Sequence, residues 1–264
     1  MEDKYTNRLI VFVDILGFSN MVKASKSSPE DSETILKALM RIHAIKENNY
    51  SPTFMNMQDY GFEVITFSDS AVISCPAEND NLFFLILELI HLQIDLVPLG
   101  ILLRGAITIG DLHHKRDIVF CPAMNEAYYL ESKVAIYPRI ILTESAIDQF
   151  YKFASTDEEI KQEFDSLILK DKDGYYFIDI LRQDQEIDGP DMYLEWLSIF
   201  REIIINGLKY DDPAVRMKYQ WLYSYFNDVI AEDPFALIPQ NEITKEMIEY
   251  KNMKSKMIIE DNRC

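Results

Sequence analysis

The segment VFVDILGFS, residues 11–19, reads as a buried strand that stops on a carboxylate. Residues 9–13 are apolar, as expected of a central strand covered on both faces. Asp14 then sits at the carboxyl end of the strand, and Gly17 allows the backbone to turn sharply. Ser19 is a suitable N-cap for a following helix. A carboxylate beside a helix N-terminus suits a metal-bound phosphate, because the carboxylate holds the cation and the backbone amides hold the anion.

A second carboxylate follows in a predicted β-hairpin. Two short strand-like runs, residues 63–67 and 71–74, flank the segment Ser68-Asp69-Ser70, so Asp69 lies at the tip. A single Asp at a strand end is most often a turn former. Two Asp residues that each end a buried strand of one sheet instead indicate a site for a pair of divalent ions.

The composition is that of an acidic globular protein. The chain has 264 residues, of which 48% are hydrophobic, and a net charge of −18. This allows one large domain or a domain with an extension. It argues against nucleic acid or an anionic membrane as the main partner. The three cysteines, Cys75, Cys121 and Cys264, are too widely spaced for a disulfide framework or a zinc site, so we expect a cytoplasmic protein.

We expect neither a signal peptide nor a membrane-spanning segment in this sequence. The N-terminus is charged and polar and is not a signal peptide. The longest apolar run, residues 82–102, is interrupted by charged and polar residues and a proline, and we predict that it is too polar to span a bilayer.

The order of predicted elements indicates an α+β fold. It runs strand, helix, helix, strand, strand, helix, strand, strand, helix, strand, which is typical of helices packed on a mixed sheet. The polar segment 111–117 is predicted to be a hairpin turn, and residues 123–131 a short helix. We expect residues 1–185 to form this domain and residues 186–264 to form a helical C-terminal extension packed on it. Within these, residues 48–59 are predicted to be a loop and residues 241–264 a loosely held helical tail.

Four motifs in this order resemble the catalytic domain of class III nucleotidyl cyclases. They are D-I-x-G-F-S at residues 14–19, the Asp69 hairpin, L-R-G-A-I-T-I-G at residues 103–110 and P-A-M-N-E-A at residues 122–127. The L-R-G-A-I form, the N-E-A-Y helix followed by Leu130 and Glu131, and Y-x-W-L-x-x-Y-F-N at residues 219–227 bring the chain closer to the Pycsar uridylate cyclases of bacterial anti-phage defence. The resemblance implies a ferredoxin-like core with a mixed sheet.

The resemblance also implies roles for single residues. Asp14 and Asp69 would hold two divalent ions, Mn²⁺ or Mg²⁺, and the Ile15 carbonyl would add a ligand. Asn125 would position the ribose, and Tyr129 stands where many class III cyclases have an Arg that stabilises the transition state. The backbone amides that would cradle the β- and γ-phosphates belong to Leu16, Gly17, Phe18 and Ser19.

The base pocket is where this sequence departs from adenylate cyclases. The positions of their adenine-selecting Lys and Asp hold Glu63 and Ile118. Glu63 suits guanine but could equally accept from uracil N3–H, and Tyr60 could stack on a small base. Arg104 is a candidate donor to a base carbonyl or a transition-state cation, and equally a structural ion pair. Lys172 would bind phosphate by the resemblance, although a solvated turn lysine is the commoner interpretation.

The function implied is a cytoplasmic, metal-dependent cyclase that converts UTP to 3′,5′-cyclic UMP and pyrophosphate as an alarm signal. It would be a homodimer in which each site takes Asp14 and Asp69 from one subunit and Asn125 and Tyr129 from the other. A separate effector protein would sense the product. The alternatives are a cytidylate, guanylate or adenylate cyclase, and a cyclase-like domain that binds nucleotide or a partner without turnover.

Overall fold

The structure is a computed structural model that describes residues 5–47, 60–78, 80–116, 118–154 and 157–232. The chain divides into two compact units, Met1–Gln183 and Asp184–Cys264. The strands are β1 (Thr6–Ile15), β2 (Glu63–Phe67), β3 (Ser70–Pro76), β4 (Leu103–Lys115), β5 (Ile118–Phe120), β6 (Ile140–Leu142), β7 (Ile168–Lys170) and β8 (Tyr176–Ile178). The helices are α1 (Phe18–Ser25), α2 (Pro29–Glu47), α3 (Asn81–Leu96), α4 (Pro122–Tyr129), α5 (Glu144–Phe153), α6 (Glu158–Ser166), α7 (Pro190–Gly207) and α8 (Pro213–Glu232).

The first unit is built on a mixed sheet in the order β2-β3-β1-β4-β6-β8-β7, with β5 paired to β4. The pairs β1–β3, β1–β4 and β2–β3 are antiparallel, and β4–β6 is parallel. The first four strands, with helices between β1 and β2 and between β3 and β4, therefore have the split βαβ topology of a ferredoxin-like fold. The predicted α+β class, with a ferredoxin-like core, a mixed sheet and helices at the C-terminal end of the chain, is confirmed.

Strand β1 lies at the centre of this sheet. Ile10 and Phe12 pack with Val72, Leu112 and two alanines of α4. The alternate residues of β1, which include Leu9, Val11 and Val13, point to the other face and are also buried. Because side chains alternate along a strand, Asp14 lies on the face that α4 covers.

Two predicted boundaries are wrong. Residues 111–115 are not part of the predicted turn, since β4 continues to Lys115 and the chain turns only after it. Leu112 pairs with Thr6 of β1 and is buried. Buried and exposed side chains alternate along this polar segment, as in a strand with one covered face. The helix predicted over residues 123–131 ends its α-helical part at Tyr129 and continues as a π-helical turn, Leu130–Val134.

The apolar helix α3 belongs to the core of the first unit. By length and composition residues 81–99 could cross a membrane, with a mean hydropathy of 1.9. The prediction that this run is too polar to span a bilayer therefore does not hold on composition alone. Most of α3 is nevertheless buried within the protein, including Leu85, Ile86, Leu89 and Ile90. Its buried Glu88 pairs with Arg41 of α2 across 3.5 Å. Burial, rather than composition, identifies α3 as a core helix.

The second unit contains α7 and α8, which pack on each other. The rings of Phe200 and Phe226 stack with centroids 6.2 Å apart, and Tyr210 stacks on Tyr219 at 6.1 Å. The predicted start of α7 at Pro190 and of α8 at Pro213 agrees with the structure. The predicted loop 48–59 and tail 241–264 lie outside the described residues.

Candidate active site

The structure brings Asp14 and Asp69 together at one end of the sheet. In the β1–β3 register Asp14 is opposite Ser70, the residue after Asp69. The Ser70 hydroxyl donates to Asp14 Oδ1 across 3.1 Å, and the Ile15 amide donates to the Asp69 carbonyl across 3.2 Å. The hairpin tip is thereby fixed to the end of β1, and the two carboxylates become neighbours.

The two carboxylates repel each other in a partly buried position. Burial raises the pKa of Asp14, and the adjacent Asp69 raises it further, whereas the hydrogen bond from Ser70 and the charge of Arg104 lower this pKa. The net effect is a raised pKa of Asp14, so Ser70 and Arg104 together do not fully offset burial and the charge of Asp69. A cation placed between the carboxylates would relieve this repulsion.

The oxygen-donor set fits Mg²⁺ or Mn²⁺. Mg²⁺ is usually held by one or two carboxylates, with waters and substrate phosphates completing its shell. Asp14 and Asp69 match that pattern. In the described part of the chain no group of three or more His, Cys, Asp or Glu side chains could hold a metal without further ligands. Metal here would therefore depend on other oxygens, from the backbone or a bound phosphate.

The turn after β1 differs in detail from the prediction. The N-cap of α1 is Gly17, with φ +79°, and not Ser19, which lies inside the first turn. A glycine fits because L-residues rarely adopt this left-handed conformation. The Leu16 amide donates to the Leu102 carbonyl across 2.9 Å and is thus already engaged. The first turn of α1 leaves the amides of Phe18 and Ser19 without intrahelical acceptors, as at any helix start.

Arg104 lies beside the carboxylate pair. It is the register partner of Asp14 on β4, and its Nη2 is 3.2 Å from Asp14 Oδ2. The same nitrogen is 2.8 Å from Glu131 Oε1. The structure thus shows Arg104 in an ion pair, one of the two interpretations that the sequence left open.

Glu131 is the member of this cluster that sequence reasoning missed. It lies in the π-helical turn after α4, and only 3% of its side chain is exposed. The signal was its spacing: Ala123, Ala127 and Leu130 mark the buried face of α4, and Glu131 continues that face. A carboxylate at such a position requires a buried partner.

Among the described residues no hydrogen bond or ion pair links Asn125 or Tyr129 to Asp14 or Asp69. Both lie on exposed positions of α4, and 59% of Tyr129 is accessible. They are one helical turn apart and so share a face. The neighbouring Tyr128 packs edge-on against Phe12, with ring centroids 5.5 Å apart, which fixes α4 on the sheet.

The predicted base-binding residues lie at the other end of β2 and β3. Glu63 is opposite Ser74, whereas Asp14 is opposite Ser70. Four residues of strand separate these levels by about 13 Å at about 3.3 Å per residue. One pyrimidine ring cannot reach both Glu63 and Arg104 of a single chain. A Glu63 carboxylate oxygen accepts from the Arg116 amide across 3.0 Å, and Tyr60 is 44% exposed.

Lys172 is exposed in the turn between β7 and β8. Its amide donates to Asp171 Oδ1 across 2.6 Å. The buried Arg139 pairs with both Asp171 and Asp173 and so holds this turn. The structure leaves the Lys172 side chain at the surface, and its predicted phosphate contact stays a prediction.

Comparisons with known proteins give only distant likenesses. No protein-family model matches the chain, and no curated protein matches it. Among solved structures, it is similar to the catalytic core of a rhodopsin-guanylyl cyclase with converted specificity in complex with ATPαS, at 15% identity and a TM-score of 0.38 over 66% of this chain and 96% of that chain.

Two further structures are similar to the same degree. One is a non-canonical dimeric guanylyl cyclase domain from the aquatic fungus Blastocladiella emersonii, at 14% identity and a TM-score of 0.40 over 66% of this chain and 96% of that chain. The other is a bacterial light-regulated adenylyl cyclase, at 16% identity and a TM-score of 0.39 over 77% of this chain and 58% of that chain. Identities and TM-scores this low do not assign the chain to a family.

Proposed function

We propose that this protein is a metal-dependent nucleotidyl cyclase of class III that forms 3′,5′-cyclic UMP from UTP. The observation that carries the proposal is the Asp14–Asp69 pair. Two carboxylates are held together by the Ser70 and Ile15 hydrogen bonds although burial and mutual repulsion oppose them. An arrangement that works against stability is typical of a site retained for chemistry.

The proposed reaction joins the ribose 3′-oxygen to the α-phosphorus of the same nucleotide. The bond from that phosphorus to the pyrophosphate leaving group breaks, and the hydroxyl proton passes to solvent. Bound divalent ions would lower the pKa of the 3′-hydroxyl and neutralise the leaving pyrophosphate. Asp14 and Asp69, with the Ile15 carbonyl, would hold those ions.

The remaining residues would bind and orient the nucleotide. The amides of Gly17, Phe18 and Ser19 at the start of α1 would bind phosphate oxygens. Asn125 would position the ribose. Tyr129 can donate a hydrogen bond to a phosphate but brings no charge, so another cation would meet the charge of the transition state, and Arg104 is one candidate. Lys172 would bind phosphate.

The proposed base preference is UTP over CTP, and both over purines. Glu63 and Tyr60 lie at the same end of β2, where Glu63 could accept from uracil N3–H. Cytosine lacks that N–H and would leave a buried group unpaired, which costs about 1–3 kcal/mol, or roughly ten- to a hundredfold in discrimination. The biological role we propose is a cyclic-nucleotide alarm of the Pycsar kind, sensed by a separate effector.

The proposed active unit is a homodimer. The exposure of Asn125 and Tyr129 on α4 supports sites that draw on two subunits, because both side chains are accessible to a partner. Each site would combine Asp14 and Asp69 of one subunit with Asn125 and Tyr129 of the other.

The test is a competition among the four ribonucleoside triphosphates. Purified protein is incubated with an equimolar mixture and Mn²⁺, and the products are separated by chromatography. Cyclic UMP should dominate, with cyclic CMP second. Cyclic GMP or cyclic AMP as the main product would overturn the base assignment, and no cyclic product from any nucleotide would favour the non-catalytic alternative. Asp148→Asn, at an exposed position of α5, is the matched control and should behave as wild type.

A further inference from the structure

Arg104 is shared between two carboxylates that differ in exposure. Its Nη2 lies 3.2 Å from Asp14 Oδ2 and 2.8 Å from Glu131 Oε1. The Asp14 side chain is 17% exposed and that of Glu131 is 3% exposed. Arg104 is therefore closer to the carboxylate that solvent and ligands cannot reach. Its Nε is buried and has no hydrogen-bond partner among the described residues.

The position of Glu131 is fixed by the end of α4. The π-helical turn Leu130–Val134 is closed by the Ala135 amide, which donates to the Leu130 carbonyl across 2.7 Å. Leu130 is buried beside Glu131, so the carboxylate cannot swing out to solvent without moving this turn. A buried carboxylate without a cation is strongly unfavourable, and Arg104 supplies that cation.

The charges around the pair do not balance without a further cation. Asp14, Asp69 and Glu131 influence one another electrostatically, and Arg104 is the cation that acts on both Asp14 and Glu131. If Glu131 were neutral, Asp14 would be the remaining carboxylate partner of Arg104. The guanidinium would then compete with any metal for that carboxylate.

We propose that Arg104 is an internal cation that neutralises Asp14 while divalent ions are absent, and that Glu131 is a positioning residue that holds Arg104 when metal takes its place on Asp14. This rests on the proposed metal-dependent function. Arg104 then lowers the affinity of the site for divalent ions, because it competes with them for Asp14. Glu131 raises that affinity, because it holds Arg104 away from Asp14.

The test is a Mn²⁺ titration of the full chain, with free Mn²⁺ followed by electron paramagnetic resonance. Glu131→Gln keeps the shape but not the charge, so Arg104 should move onto Asp14 and weaken Mn²⁺ binding about tenfold. Arg104→Met removes the competitor and should tighten binding about tenfold. Since Glu131 acts through Arg104, adding Glu131→Gln to Arg104→Met should change the Kd less than twofold.

The matched control is Glu88→Gln, which neutralises another buried Glu in an ion pair with an Arg of the same unit. It should leave the Mn²⁺ affinity unchanged. If either single variant folds poorly, the double variant Arg104→Met with Glu131→Gln decides, because it removes both buried charges, and its Mn²⁺-induced rise in Tm should exceed that of wild type. An unchanged affinity in Glu131→Gln, or a smaller Tm rise in the double variant than in wild type, overturns the inference. Wild-type protein that binds no Mn²⁺ contradicts the proposed function instead.

Discussion

Asp14 is the residue on which the candidate site depends, and its surroundings oppose its ionised form. Burial and the carboxylate of Asp69 raise its pKa, while Ser70 and Arg104 offset part of this effect. A purely structural position would have been filled by a neutral side chain at lower cost. The conflict between stability and charge at Asp14 is therefore the residue-level argument for function.

Neutralising Asp69 should stabilise the metal-free protein. Asp69→Asn removes the repulsion on Asp14 and should raise the free energy of unfolding by about 0.5–2 kcal/mol at pH 7. The gain should shrink as pH falls below the pKa of Asp14, because protonation removes the same repulsion in wild type. A carboxyl with a raised folded-state pKa lowers stability as pH rises, so the sign is fixed. Urea unfolding at several pH values with chelator present measures this, and a variant less stable than wild type at pH 7 would contradict it.

Some residues of the site could be predicted from the sequence and others could not. Asp14 and Asp69 could be predicted because each follows a buried run and precedes a turn. Glu131 could not be given a role, since its partner Arg104 is far away in the sequence and meets it only through the packing of α4 on β4. Glu63 and Arg104 were predicted to share a base, and the strand register separates them.

At the scale of elements, the approach of β1 to β4 positions the site. A Cβ at Gly105 would lie 2.6 Å from the Phe12 carbonyl oxygen and 2.7 Å from a Val13 methyl group. Only glycine allows the two strands to approach this closely. Because of this close spacing, the adjacent Arg104 can reach Asp14.

Replacing Gly105 with alanine should therefore cost both stability and activity. Overpacking of this kind destabilises by about 1–3 kcal/mol, and the shift of Arg104 should alter Mn²⁺ binding as well. Gly110→Ala is the control in the same strand, because its Cβ would meet Ala123 at 3.1 Å and no atom closer than that. Thermal unfolding that shows the two variants equally stable would refute the close-packing argument.

Secondary structure was predictable where it is local. Helix α2 has the predicted bounds, since its start at Pro29 and its apolar spacing are both sequence signals. Strand β4 was underestimated because its polar second half is held by pairing with β1 and β5, which the sequence does not reveal. The N-cap is Gly17 and not Ser19, because Gly17 adopts the left-handed conformation and the helix begins two residues earlier than predicted.

At the scale of the whole molecule, the proposed homodimer makes a prediction about mixtures. Asp69→Ala and Asn125→Ala damage different halves of a composite site, so each should be inactive alone. After subunit exchange, random pairing gives half of the dimers one intact site out of two, or about a quarter of wild-type activity. The assay is product formation after the two proteins are mixed, with exchange verified by mass spectrometry. An exchanged mixture as inactive as its parents would exclude shared sites.

The fold class of the whole molecule was predictable from the sequence. The order of strands and helices in the first unit predicted the α+β class, whereas the ferredoxin-like core was expected from the resemblance and is seen in the strand order of the sheet. The predicted division at residue 186 stays a prediction beside the second compact unit, Asp184–Cys264. The packing of this unit on the first and its role stay predictions, since neither is encoded in a local pattern.

The most direct test of the central claim is the rate of cyclic UMP formation from UTP and Mn²⁺ by wild type, Asp14→Asn, Asp69→Asn and the control Asp148→Asn. If Asp14 and Asp69 hold the ions, either site variant should lose about a thousandfold or more in rate while remaining folded, and Asp148→Asn should keep the wild-type rate. A folded Asp14→Asn or Asp69→Asn protein that forms cyclic nucleotide at the wild-type rate would contradict the account.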